Sequence, residues 1–130
     1  MREVTVHWAG GPFAQDIEIG GHRVRADEEN EKGGDNTGPA PHELLLAALG
    51  SCTAMTLKVY AERKGWPLRD ARVVLNGSTT DAGFVIARQL TLTGDLDADQ
   101  RQRLIEIADK CPVNKTLSGT ITIQTTAVPS

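Results

Sequence analysis

Aromatic residues are scarce in this chain, 4% of its 130 residues. A core must then be assembled from Leu, Val, Ile and Ala, and a chain of this length is expected to form one domain, residues 1–130, burying about two-thirds of its unfolded surface. No Lys/Arg run is present and the formal charge is -3. The electrostatic footprint of a nucleic-acid or anionic-membrane partner is therefore missing, and neither partner is expected. The first residues, MREVTVHW, lack a basic-then-apolar leader, and the longest apolar run, Leu44 to Leu49, is far too short for a bilayer. These absences predict a cytoplasmic, soluble protein. The absence of CxxC excludes a thioredoxin-type motif. His7, His22 and His42 have no ligand spacing with either cysteine, so no metal is expected. Gly33-Gly34 is not followed by the Lys-Ser/Thr pair of a phosphate loop, and no cofactor is expected.

What is present is organised around Gly38 to Gly65. Pro39 and Pro41 punctuate a loop, and the pattern predicts a helix from near Pro41 to the stop at Gly65-Trp66-Pro67. Leu44 to Leu49 leave no polar face, which predicts a helix start buried in a domain or an oligomer. Further on the helix turns amphipathic, with Met55 and Tyr60 expected in the core and Trp66 packing where the chain leaves it. Cys52 sits in the middle of this element.

Upstream, Val4, Val6 and Trp8 alternate with polar neighbours, the pattern of a half-buried strand. Asp16 to Ile19 and His22 to Asp27 flank Gly20-Gly21 as a hairpin. The charged, glycine-rich stretch Asp27 to Gly38 reads as a mobile surface loop. Downstream, Ala71 to Leu75 and Phe84 to Leu96 are strands joined near Asp81-Ala82-Gly83. Asp97 or Asp99 can cap a second helix whose buried stripe is Leu104, Ile107, Ala108 and Cys111. Pro112 should end or kink that helix and can open a short turn over Val113 to Leu117. Gly119 to Thr126 reads as a last strand. Clustered strands and clustered helices predict an α+β fold with antiparallel sheet.

Two cysteines far apart in sequence are, from spacing alone, most simply two inert core residues, since a free cysteine behaves as a small hydrophobe. The wording around them carries more. The stretches PAPHELLLAALGSCTAMTL and ADKCPVNKTL resemble the OsmC/Ohr family of thiol-dependent hydroperoxide reductases, in which a buried long helix carries one cysteine and a Cys-Pro segment the other. The resemblance extends over nearly the whole chain. It implies an OsmC-like fold, antiparallel sheets packed on two main helices with a long central helix, in an intertwined homodimer. It also implies a peroxidase cycle. Cys52 would attack the hydroperoxide and become a sulfenic acid, Cys111 would resolve it as a disulfide, and an external dithiol, lipoyl-type in parts of the family, would reopen it.

A mid-helix thiol in apolar surroundings needs a cation nearby to react as a thiolate. Family peroxidases supply an arginine held by a glutamate. The candidates here are Arg25, on the strand that feeds the loop before the helix, and Glu43, the nearest match for the glutamate, with Arg23, His42 and Lys32 in support. The plain alternatives are a solvated strand face for both arginines and a first-turn dipole partner for Glu43. In a regular helix Glu43 lies about 180° round the axis from Cys52, and His42 only about 80°. In the family's best-known peroxidases the acid stands where this chain has His42, and that departure keeps open a second class of function, a dimeric binding module that holds a small hydrophobic ligand with both thiols merely packed.

Overall fold

The computed structural model describes residues 1–129. Two compact units divide the chain, residues 1–47 and Ala48 onward. The architecture is α+β, with one antiparallel sheet in each unit and helices between and after them.

In the first unit β1 (Val4–Trp8), β2 (Gln15–Ile19) and β3 (His22–Ala26) form an antiparallel sheet in chain order. The β2–β3 connection is the expected Gly20-Gly21 pair, and Gly20 takes a φ of 59°, a left-handed value that glycine tolerates best. The alternation in β1 is real but does not bury its apolar side. Val4, Val6 and Trp8 are all exposed, Trp8 at 91%, because the edge strand has nothing packed on its face within the unit.

Asp27 to Gly38 is an ordered turn rather than the mobile loop expected. Asp27 is almost fully buried and its carboxylate accepts the backbone N–H of Glu28 at 2.7 Å, the N–H of Thr37 at 3.0 Å and the Thr37 hydroxyl at 2.6 Å. These bonds close the loop around a 3-10 turn at Asn30–Lys32. Led by the Thr37 hydroxyl, they hold the Asp27 carboxyl below the usual carboxylate range, because they favour its charged form. Gly34 is buried with no room for a Cβ against the Glu28 carbonyl.

Helix α1 runs Pro41–Lys64, as its punctuation predicts. The expectation of all-round burial at its start does not hold within the chain. Leu45 is exposed, and from Leu44 to Leu49 only Leu49 is buried, so one narrow face goes inward. Met55, expected in the core, is 67% exposed because it lies off that face. By length and composition α1 as a whole is apolar enough to cross a bilayer, more than the short run Leu44–Leu49 suggests. Its buried residues Leu57 and Ala61 are instead part of a protein core.

In the second unit α1 is followed by β4 (Leu68–Thr80) and β5 (Gly83–Gly94), a long antiparallel hairpin turning at Asp81-Ala82. β4 is longer than the sequence suggests, since pairing along β5 extends it over the polar residues Asn76 to Thr80. β5 stops at Gly94, short of Leu96. Gly50 lets the hairpin approach α1, for a Cβ there would stand 2.7 Å from Leu75 Cδ1. Helix α2 (Ala98–Ala108) starts with a capping box, in which Asp97 accepts the Gln100 N–H at 2.8 Å and Gln100 accepts the Asp97 N–H at 2.9 Å. Leu57, Ala61, Leu96, Leu104, Ile107 and Ala108 form the core, with Ala71, Leu90 and Leu92 packed against it. Tyr60 and Trp66 meet edge to face at 5.6 Å where the chain leaves α1. Arg101 binds α2 to the end of the hairpin through the carbonyls of Leu92, Gly94 and Leu96.

Two further expectations change here. Cys111 is not on the α2 stripe, because α2 ends at Ala108. The thiol is instead the N-cap of a separate helix α3 (Pro112–Ser118), with Pro112 as its first residue. The predicted last strand is absent: residues 120–129 carry no assigned strand, and Ile121 and Ile123 are exposed. A strand needs a partner edge, and this segment has none within the described chain.

Candidate active site

The second unit brings Cys52 and Cys111 to one place. Cys52, from α1, accepts the backbone N–H of Val113 at 3.5 Å, and Cys111 accepts that of the next residue, Asn114, at 3.3 Å. Both sulfurs thus face consecutive amides in the first turn of α3. The turn exists because Pro112 cannot continue α2 and is preset for a helix start. Both thiols are free.

Their surroundings differ. Cys52 is half-buried and opens into a groove of about 410 Å³ whose apolar lining includes Met55, Val59, Ile107 and Pro112, with the cations Arg63 and Lys110. Cys111 has no exposed surface. One thiol can meet a molecule from outside; the other can meet only its neighbours.

Behind Cys111 lies a polar network that the sequence reading missed. Thr53, fully buried, donates its hydroxyl to the Leu49 carbonyl at 2.7 Å and stands 3.8 Å from Cys111 Sγ. Arg88 Nη1 donates to Thr53 Oγ1 at 3.0 Å, and Arg88 Nη2 donates to Asp109 Oδ1 at 2.8 Å. Asn114 Nδ2 donates to the Asp109 carbonyl at 3.0 Å, which ties the same corner from the other side. A signal was available. Ile86, Arg88, Leu90 and Leu92 occupy the inward phase of β5, so Arg88 is a charge on an otherwise apolar strand face.

The remaining candidates lie in the first unit. Arg25 pairs with Asp16 at 3.4 Å across the β2–β3 ladder, and Arg23 pairs with Glu18 at 3.6 Å. Glu43 accepts the Ala40 N–H at 2.7 Å, the reach-back of a third-position glutamate capping its own helix. His42 is exposed at the helix start, and Lys32 is exposed on the 3-10 turn.

A long helix and an antiparallel hairpin sharing a core, with one thiol on the helix and a second at a Cys-Pro corner, define a two-thiol α+β protein. The family model described as OsmC-like protein matches residues 33–126, and the chain belongs to the OsmC-like family. Solved structures agree on the fold. The OsmC-like protein of Mycoplasma pneumoniae superposes with a TM-score of 0.79 at 16% identity, covering 92% of this chain and 88% of that one. The organic hydroperoxide resistance protein OsmC of Legionella pneumophila gives 0.70 at 20% identity over 92% and 90%. The organic hydroperoxide resistance protein OhrB of Bacillus subtilis gives 0.60 at 26% identity over 92% and 91%. No curated protein matches the sequence.

Proposed function

We propose that the protein is a cytoplasmic, homodimeric thiol peroxidase that reduces organic hydroperoxides through Cys52 and Cys111 in oxidative stress defence. The observation that carries this reading is the pairing of a half-buried thiol on an apolar groove with a sealed thiol one amide away. Membership of the OsmC-like family, and the names of the Legionella and Bacillus proteins, support it.

In the proposed cycle the Cys52 sulfur attacks the outer peroxide oxygen. The O–O bond breaks, the organic fragment leaves as an alcohol after taking up a proton, and Cys52 becomes a sulfenic acid. The Cys111 sulfur then attacks the Cys52 sulfur. The S–S bond forms, the S–O bond breaks, and the departing hydroxide takes the Cys111 proton as water. An external dithiol of lipoyl type returns both thiols by exchange. Arg25 and Glu43, with Arg23, His42 and Lys32 in support, are the candidates for activating Cys52. Homodimerisation would cover apolar residues that the single chain leaves exposed, among them Val4, Val6 and Trp8 of β1 and Ile121 and Ile123 near the C-terminus.

The test is intact mass and free-thiol titration of the reduced protein before and after one equivalent of cumene hydroperoxide, with Cys52→Ser and Cys111→Ser alongside. Wild type is expected to lose both thiols and about two mass units, and Cys111→Ser to hold a sulfenic or over-oxidised Cys52. Two thiols still free after exposure would replace this reading with a second one, a dimeric module binding a small hydrophobic ligand. Glu43 favours that alternative, since its carboxylate is already engaged in capping its own helix.

A further inference from the structure

The partly buried charge behind Cys111 is not accounted for by the hydroperoxide step, which takes place at Cys52. We infer that Arg88 is the positioning residue for disulfide closure, acting on Cys111 through the Thr53 hydroxyl; the inference rests on the two-thiol cycle proposed above. Arg88 is only 13% exposed in its side chain, and two of its nitrogens are committed, one to Thr53 and one to Asp109.

The geometry assigns each partner a task. Thr53 Oγ1 gives its own proton to the Leu49 carbonyl and receives one from Arg88, which leaves an acceptor site facing Cys111 Sγ. The Cys111 S–H therefore points at Thr53, and the Asn114 N–H points at the sulfur. A sulfur held from both sides keeps one direction of attack. As Cys111 attacks the Cys52 sulfenic acid, its proton leaves with the hydroxide. The Thr53 hydroxyl can then turn from Leu49 to the sulfur, with the guanidinium charge one hydroxyl away. Asp109 fastens that guanidinium to the corner carrying Cys111, so the cation and the sulfur are located by the same few bonds.

Closure can be read without peroxide, because diamide adds to one thiol and the second thiol displaces it to form the disulfide. Full-length wild type, Arg88→Gln, Arg88→Lys, Thr53→Val and Thr53→Ser are reduced and treated with diamide or with cumene hydroperoxide. Samples are quenched by alkylation over time and resolved by intact mass, with thermal unfolding recorded for each.

Loss of the positioning bonds is expected to slow closure about tenfold in Arg88→Gln and Thr53→Val. With hydroperoxide, the same two variants should divert Cys52 to the sulfinic acid, a gain of about 32 mass units. Thr53→Ser keeps the hydroxyl and should restore closure, and Arg88→Lys should restore part of it. Closure at the wild-type rate in both Arg88→Gln and Thr53→Val would overturn the assignment. So would equal slowing in Thr53→Ser and Thr53→Val, which would mark a packing effect. If Arg88→Gln does not fold, the two threonine variants decide. If wild type closes with diamide but ignores hydroperoxide, the peroxidase reading fails while the diamide comparison still judges Arg88.

Discussion

The two units are ordered by opposite means. Past Ala48, the chain closes around aliphatic side chains: Leu57 and Leu104 have no exposed surface, and the polar groups taken inside, Thr53 and Arg88, are paired with each other. The first unit has almost no such core. Among its described residues Ala14, Ala26, Asp27 and Gly34 are the buried ones, and a single carboxylate closes its longest loop. A unit built on aliphatic burial should answer to side-chain volume. One built on a buried carboxylate should answer to pH.

The largest effect is expected from Leu57→Ala. Truncating a fully buried leucine removes transfer energy and leaves a cavity, a loss of about 2–5 kcal/mol by urea unfolding. A loss below about 1 kcal/mol would mean that the core is not what orders this unit. Next comes acidification, whose effect should be read at Asp27 in the first unit. The Asp27 carboxyl is lowered on folding, so the stability its charge contributes is fully present above the unfolded value, near pH 4, and is lost as pH falls through the folded value. Protection of the Glu28 and Thr37 amides, taken against the intrinsic exchange rate at each pH, should fall over that lower range, and Asp27→Asn should flatten the dependence. Unchanged protection of both amides in acid would erase the contrast between the units.

A smaller loss, about 1 kcal/mol, is expected for Asp97→Ala, which removes a local cap from α2 without opening the core. A loss as large as that of Leu57→Ala would place the order of the second unit in its caps. Arg23→Ala should be the smallest change. Its ion pair with Glu18 is largely solvated, and no measurable shift of the urea midpoint is expected.

Local devices were legible from residues alone. Gly20-Gly21 made a hairpin turn, Asp97, one of the two candidate caps, capped α2, and Pro112 opened a helix, since each works through bonds within a few residues. One error fell where a distant partner decides, and another where a neighbouring proline outweighs periodicity. Ile121 and Ile123 alternate like a strand yet pair with nothing among the described residues, because alternation records a preference and a ladder needs a second edge. Cys111 fits the α2 stripe by counting, but Pro112 breaks the helix before that residue is reached.

The candidate site divides in the same way. Cys52 and Cys111 could be singled out by their flanking residues, and the α+β class followed from the order of elements. Thr53 and Asp109 carry no motif, and Arg88 shows only as a charge out of phase in an apolar strand face. Sequence alone determined the elements, their caps and the two sulfurs, because short-range bonds and periodicity set them. Only the tertiary structure decided that the sulfurs share one helix turn, that one opens to a groove while the other is sealed, and that Arg88 stands behind the sealed one. Those facts depend on side chains separated in the chain arriving at the same few ångströms, and no local pattern encodes that arrival.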